Sequence, residues 1–288
     1  MSLDLPEGWR LEHVKCAPRL NCQSHEAKTE CQYVRARVSK RQSRFHEVAR
    51  IARDEADAEH VRIKYVCDGT TFCAKISLLV PLVQRHAVLL SPTLDVYRTL
   101  SRAQLYAPCF SFLELGCAGG VTCVRLAQYE RLRLVAGLDK SAEPIEQAHT
   151  RNAKMQTPDG LSLLSPLVFA QCDVLELSDS EFLAAAQALW FDAKVRATHA
   201  SLPPTAEPEC ASLHGSDAGD SGTCGLCRPD CVFTHVWIDL NGSRDVAVLQ
   251  CVVQKVLRTL HPLLVCVKTS KWCELIDAAD SPQWLVTL

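Results

Sequence analysis

The sequence predicts an α/β protein built on a doubly wound, mostly parallel sheet, and three observations carry that expectation. Between residues 111 and 268, apolar runs of strand length alternate with stretches of helical spacing, the pattern that puts helices on both faces of a parallel sheet. The first run, Ser111 to Leu115, feeds a turn of small residues, Gly116-Cys117-Ala118-Gly119-Gly120, where the backbone can approach a ligand at the N-terminus of the next helix. Two later runs end in Asp139 and Asp239, at the carboxyl edge where open α/β sheets hold their ligands.

The elements follow in order. Residues 1 to about 60 mix charges with few apolar clusters, and residues 1–90 together read as a small N-terminal appendage. Within it, residues 44–61 carry helical spacing through Phe45, Val48, Ala49, Ala52, Ala56 and Val61, which predicts a basic helix. Runs at 62–66 and 71–79 flank Asp68-Gly69, a hairpin signal. Residues 91–288 form the second unit. It opens on a helix over 91–105, with Pro92 in the first turn. Strands are expected over 111–115, 132–139, 167–173, 233–240 and 263–268, and helices over 121–128, 142–154, 179–191 and 244–260. Between residues 194 and 231 Pro, Ser, Gly, Ala and Asp replace any apolar periodicity, which reads as a long, mobile loop insertion.

Composition narrows the function classes. With 288 residues, 48% hydrophobic and 22% charged, the chain has an ordinary globular make-up and enough length for a substantial core. A net charge of −2 excludes a global field that recruits nucleic acid or membrane, so such contact needs a local patch. One candidate is the stretch 28–53, where Lys28, Arg35, Arg37, Lys40, Arg41, Arg44, Arg50 and Arg53 face only Glu30 and Glu47. It is either a solvated helix face or an RNA-contacting surface. The first residues lack the pattern of a signal peptide, and no apolar run reaches bilayer length. The expectation is an intracellular protein, cytoplasmic or nuclear, without membrane contact. Sixteen cysteines are many, yet Cys109, Cys123, Cys172, Cys251 and Cys266 lie in apolar segments and read as reduced, buried thiols. The sequon Asn241-Gly242-Ser243 is then not expected to be modified.

The acid before the glycine turn indicates the ligand. A dinucleotide fingerprint takes its first glycine straight after the strand, whereas here Glu114 stands two residues before Gly116. A carboxylate there repels a pyrophosphate and accepts from an ammonium group. This arrangement resembles the first motif of the class I S-adenosylmethionine-dependent methyltransferases, an acid and an apolar residue followed by glycines at alternate positions, with Ala118 where the family usually has glycine. Gly137-Leu138-Asp139-Lys140-Ser141 and Cys172-Asp173-Val174-Leu175-Glu176-Leu177 resemble its next two motifs in order, and the resemblance covers roughly residues 111–270. It implies a Rossmann-like methyltransferase sheet with S-adenosylmethionine as cofactor. It further implies binding through Glu114, Gly116, Cys117, Ala118, Gly119, Gly120, Asp139, Lys140, Cys172, Asp173 and Asp239. Asp139 would take the ribose hydroxyls and Asp173 the adenine amine, both suited to carboxylate acceptors. The family fold closes with a helix and an antiparallel strand pair. After Lys268 only one apolar run, at 284–288, remains for that pair, which implies an abbreviated sheet or a shortened fold.

The run His235-Val236-Trp237-Ile238 ends at Asp239, beside the methyl-transfer position that the resemblance implies. The Pro-Pro-aromatic sequence of amino-methylating relatives is absent after it, which argues against base-amine methylation. The fifth strand ends at Lys268, and the pair Asp239 and Lys268 resembles half of the Lys-Asp-Lys-Glu-like set of RNA 2′-O-methyltransferases. Lys75, Arg98 and Arg102 are unconvincing matches for its first lysine. The resemblance implies Lys268 as base and Asp239 as orienting group for an RNA hydroxyl. The plain alternative is a loop acid or helix cap before Arg244 and a strand-end lysine reaching solvent. Two rival functions remain open at this point: a small-molecule O-methyltransferase using Asp239 and Asn241 as metal ligands, and a non-catalytic interaction module. Cys224, Cys227 and Cys231, with Cys210 or His214, have zinc-like spacing. They are read here as reduced thiols in a flexible loop, and no resident metal is expected.

Overall fold

Short apolar runs bounded by turns become strands in the computed structural model, which describes residues 5–7, 9–13, 33–36, 48–56, 60–65, 70–75, 79–82, 86–105, 110–129, 132–155, 163–199, 232–241 and 244–278. In chain order they are β1 (Arg10–His13), β2 (Tyr33–Ala36), β3 (Val48–Ala56), β4 (His60–Tyr65), β5 (Thr71–Lys75), β6 (Leu79–Pro81), β7 (Ala87–Ser91) and α1 (Leu94–Gln104). Next come β8 (Ser111–Leu115), α2 (Val121–Tyr129), β9 (Leu134–Asp139), α3 (Ala142–Met155), β10 (Leu167–Gln171) and α4 (Asp179–His199). The last described elements are β11 (His235–Ile238), α5 (Val246–Leu260), β12 (Leu264–Lys268) and α6 (Ser270–Ala278).

The main sheet has the order β1-β7-β12-β11-β8-β9-β10, and each neighbouring pair is parallel. Strand alternation divides its side chains between two cores. Val88, Leu113, Ala136, Val236 and Val265 pack with Phe182 of α4, Leu249 and Val253 of α5 and Trp272 of α6. Leu89, Phe112, Val135, Trp237 and Cys266 pack with Tyr97 of α1, Val124 of α2 and Ile145 and Ala148 of α3. Helices on both faces of a parallel sheet make this the doubly wound, Rossmann-like α/β architecture that the sequence predicts. Helix ends are fixed locally: Thr93 caps α1 through Val96 N, and Asp245 caps α5 through Ala247 N. The buried face of α5, with Leu249, Val252, Val253, Val256 and Leu260, has the spacing of an amphipathic helix.

The edge beyond β12 differs from expectation. In place of an antiparallel pair following the fifth strand, β7 and β1 from the first ninety residues extend the sheet, both parallel. Among the described residues the sheet is therefore seven strands across. Residues 284–288 lie outside the described residues. So do residues 200–231, with Cys210, His214, Cys224, Cys227 and Cys231; α4 itself runs on to His199, past its expected end at 191. The described cysteines are all free, and among them Cys251 is exposed rather than buried.

A second, antiparallel sheet has the order β5-β4-β3-β2-β6. It contains the expected hairpin, with Lys64 paired to Thr71 and His60 to Lys75. The helix expected over 44–61 is corrected: residues 48–56 form β3, paired to β2 and β4. Ala49 is buried and Ile51 pairs with Ile63, but the register shifts between Ile51 and Ala56. That irregularity breaks the period of two and leaves alanines three and four residues apart, which imitates helical spacing. Of the basic stretch, Arg35 lies on β2 and Arg50 and Arg53 on β3; Lys28, Arg37, Lys40, Arg41 and Arg44 lie outside the described residues. Among the described residues no helix is long and apolar enough to cross a membrane.

Although β7 precedes residue 91, it is integral to the main sheet. Val88, Leu89 and Leu90 are each 0% exposed, and burying such side chains stabilises by about 1.5–3 kcal/mol each. Their sum rivals the roughly 5–15 kcal/mol net stability of a domain. A chain truncated to begin at residue 91 should therefore lose cooperative thermal unfolding by circular dichroism, and a truncated chain that melts as sharply as the full one would show β7 to be dispensable.

Candidate functional site

The chain runs from β8 to β9 and β10 on one side, then crosses to β11 and β12 on the other. Chain direction through the sheet reverses between β8 and β11, and open sheets bind ligands beyond the carboxyl ends at such a switch point. A cleft of about 200 Å³ opens there, lined by Gly116, Asp139, Lys140, Cys172, Asp173 and Asp239, with Asn241 and Arg244 on its rim.

The turn after β8 requires unusual backbone. Gly116, Ala118 and Gly120 have φ of +79°, +46° and +70°, so the alternate positions of the motif are the left-handed ones. A Cβ on Gly116 would lie 2.3 Å from the Asp239 carbonyl oxygen, and one on Gly120 would lie 2.6 Å from the Phe169 ring. Ala118 accepts the same conformation at about 1–2 kcal/mol. Inside the turn, Gly116 N and Cys117 N donate to Leu138 O at 2.8 and 3.0 Å, Gly120 N donates to Cys117 O at 2.9 Å, and Ala118 N donates to Asp139 Oδ2 at 2.9 Å. These four amides hold the turn and the end of β9 together and are not aimed at a phosphate.

The acids are fixed but retain acceptor capacity. Asp139 accepts from Ala118 N on one oxygen and from Ser141 N on the other, each at 2.9 Å, leaving further lone pairs on both. Asp173 Oδ1 accepts from Leu175 N at 3.0 Å. Asp239 N donates to Leu115 O at 2.8 Å, which holds the end of β11 against β8. Its carboxylate meets Lys268 Nζ at 2.6 Å, with 17% and 21% of the two side chains exposed. Lys268 reaches it because β12 lies next to β11 in the sheet.

Several positioning residues escaped sequence analysis. Arg244 Nε donates to Leu240 O at 3.2 Å and its amide donates to Asn241 O at 2.9 Å, closing the loop after β11 around the left-handed Asn241. Lys255 of α5 donates to Val174 O at 2.9 Å and to Leu177 O, fixing the wall that carries Val174 and Leu175. In sequence Lys255 is one lysine in an amphipathic helix, and nothing local marks it.

Glu114 lies elsewhere than expected. Alternation along β8 puts it with Phe112 on the face covered by α1 and α2, 3% exposed. There Tyr97 OH donates to Oε1 at 3.1 Å and Cys123 Sγ to Oε2 at 3.2 Å. Its carboxylate thus ties two helices to the sheet and does not line the cleft. Cys117 is likewise buried, and Ala118, Gly119 and Gly120 shape the turn without lining the cleft. Burial raises the Glu114 carboxyl from its ordinary 4.5 to about 7, although the bonds from Cys123 and Tyr97 act the other way. His235, whose ring meets Phe110 at a tilt with centroids 4.5 Å apart, is lowered by burial from 6.5 to about 3.

No family model matches the chain, and no curated protein matches it. Among solved structures, the X-ray structure of YjhP from E. coli is similar at 23% identity and a TM-score of 0.24, over 30% of this chain. The chain spans a third of YjhP, 33% of its length, and a likeness of that extent bears on neither fold nor function.

The two shifted groups give stability a defined pH profile. Glu114, raised in the fold, contributes stability that is lost as pH rises from 4.5 to about 7. His235, lowered in the fold, contributes stability that is lost as pH falls from 6.5 to about 3. Each slope is about 1.4 kcal/mol per pH unit, so the two cancel between 4.5 and 6.5. Urea midpoints should accordingly show Glu114→Gln gaining stability steadily up to pH 6.5, and His235→Gln losing it from 4.5 upward. Parallel profiles for the parent and both variants would contradict these assignments.

Proposed function

We propose that the chain is an S-adenosylmethionine-dependent methyltransferase acting on a hydroxyl group. The observation that carries this reading is the chemistry of the cleft. Asp139, Asp173 and Asp239 supply carboxylate acceptors from the ends of β9, β10 and β11, while the glycine turn between them keeps four amides for itself. A site rich in acceptors and poor in free amide donors disfavours a pyrophosphate and suits a cationic ligand that carries hydroxyls and an exocyclic amine. Asp139 has the lone pairs to hold a ribose diol, Asp173 is suited to an adenine amine, and the partly buried Leu175 beside it offers an apolar contact for the base.

When bound, S-adenosylmethionine supplies a methyl group that passes to a nucleophile as its carbon–sulfur bond breaks, the electron pair remaining on sulfur. The protein's own part is to manage the acceptor proton. Asp239, 2.6 Å from Lys268, orients the incoming hydroxyl. The Lys268 amine, after releasing its own proton to solvent, takes the hydroxyl proton and later returns it to water.

Calorimetry should detect S-adenosylmethionine or S-adenosylhomocysteine, and Asp139→Ala should weaken that binding by about 1–3 kcal/mol through lost hydrogen bonds. Lys268→Met should leave affinity nearly unchanged while slowing transfer of labelled methyl to an acceptor pool by roughly 100- to 10,000-fold. Preference for NAD(H) would overturn the cofactor assignment, and parental transfer rates in Lys268→Met would overturn the base.

A further inference from the structure

The cofactor proposed for the cleft carries one anionic group, the carboxylate of its amino-acid end. Asp139, Asp173 and Asp239 around it are carboxylates too, so that group needs a countercharge close by. The amides of the glycine turn, where an anion is often held, are engaged by Leu138 O, Cys117 O and Asp139 Oδ2. Among the described residues two cations line the cleft, Lys140 and Arg244. A third cation nearby, Lys268, is engaged by Asp239 at 2.6 Å.

Strand order separates Lys140 from Arg244. The neighbouring strands β10, β9, β8 and β11 carry Asp173, Asp139, Gly116 and Asp239 at or just past their ends, a run of three strand spacings, roughly 14 Å. With the adenine amine at Asp173 and the ribose at Asp139, the amino-acid end lies beyond Gly116, between β8 and β11. Lys140 follows Asp139 directly and stands at the ribose. Arg244 stands at the far end, because its Nε donates to Leu240 O at 3.2 Å, which holds the guanidinium beside the residue that follows Asp239. Arg244 is partly buried, yet among the described residues its two terminal nitrogens have no hydrogen-bond or ion-pair partner. A guanidinium fixed through Nε and open at both terminal nitrogens presents the fork that a carboxylate fills with two parallel bonds. We propose that Arg244 receives the cofactor's carboxylate through those two nitrogens. This assignment rests on the proposed methyltransferase function, and it makes the cleft selective for a nucleoside that keeps its whole amino-acid arm.

Calorimetry on the full chain with two ligands tests the assignment: S-adenosylhomocysteine, and its analogue in which hydrogen replaces the carboxylate. The parent should bind the complete ligand roughly 10- to 100-fold more tightly, the range for hydrogen bonds between charged partners. Arg244→Gln should weaken S-adenosylhomocysteine by about that factor and leave the analogue within about twofold of its parental affinity. A role confined to closing the loop after β11 would instead weaken both ligands equally. Should Arg244→Gln melt early by circular dichroism, Arg244→Lys, which keeps the charge without the fork, should still narrow the ratio between the two ligands. A parent that binds both ligands alike, equal weakening of both, or a ratio unchanged in the variants would each overturn the assignment and leave the proposed function standing. A parent that binds neither ligand would overturn the proposed function, and the assignment with it.

Discussion

The cleft exists because nothing occupies the space where a side chain on Gly116 would be. With 2.3 Å between that Cβ position and the Asp239 carbonyl oxygen, any other residue would push the ends of β8 and β11 apart. Their convergence lets Asp239 N donate to Leu115 O at 2.8 Å, which sets the direction of the Asp239 carboxylate and hence its pairing with Lys268. On the other side the turn binds Leu138 O and Asp139 through its own amides. One missing methyl group therefore fixes three strand ends relative to one another, and the left-handed backbone at Gly116, Ala118 and Gly120 is the conformational consequence.

The two halves of the motif serve different purposes. Its glycines build the cleft, whereas its acid faces the opposite way and holds α1 and α2 to the sheet through Tyr97 and Cys123. A buried carboxyl raised to about 7 retains its proton at moderate pH, which lessens the desolvation burden of placing it in an apolar core. The turn and helix α2 are thereby anchored from behind by Glu114 and from in front by Asp139, a double restraint on the segment beside the cleft.

The parallel core was legible in the sequence because β8, β9, β10 and β11 each combine an apolar run with a glycine or acid at or just past the carboxyl end; Asp139, Asp173 and Asp239 line the cleft as those ends suggest. The side of β8 on which Glu114 lies depends on strand phase against Gly137 and Trp237, which a motif alone does not specify. Recruitment of β7 and β1 to the far edge was not legible either: the five strands of a separate sheet intervene between β1 and β7, and pairing across such separations is not written in local periodicity. Residues 48–56 misled for a local reason, the register shift within β3. Lys255 and Arg244 were hidden because their work, bonding to loop carbonyls, depends on tertiary placement.

The proposed cofactor site is the acidic cleft at the ends of β8, β9, β10 and β11. A crystal structure of the chain grown with S-adenosylhomocysteine tests it most directly. Density is expected in that cleft, with the ribose hydroxyls on the Asp139 carboxylate and the adenine beside Asp173 and Leu175. Density at another place on the chain, or a ligand whose ribose turns away from Asp139, would contradict it.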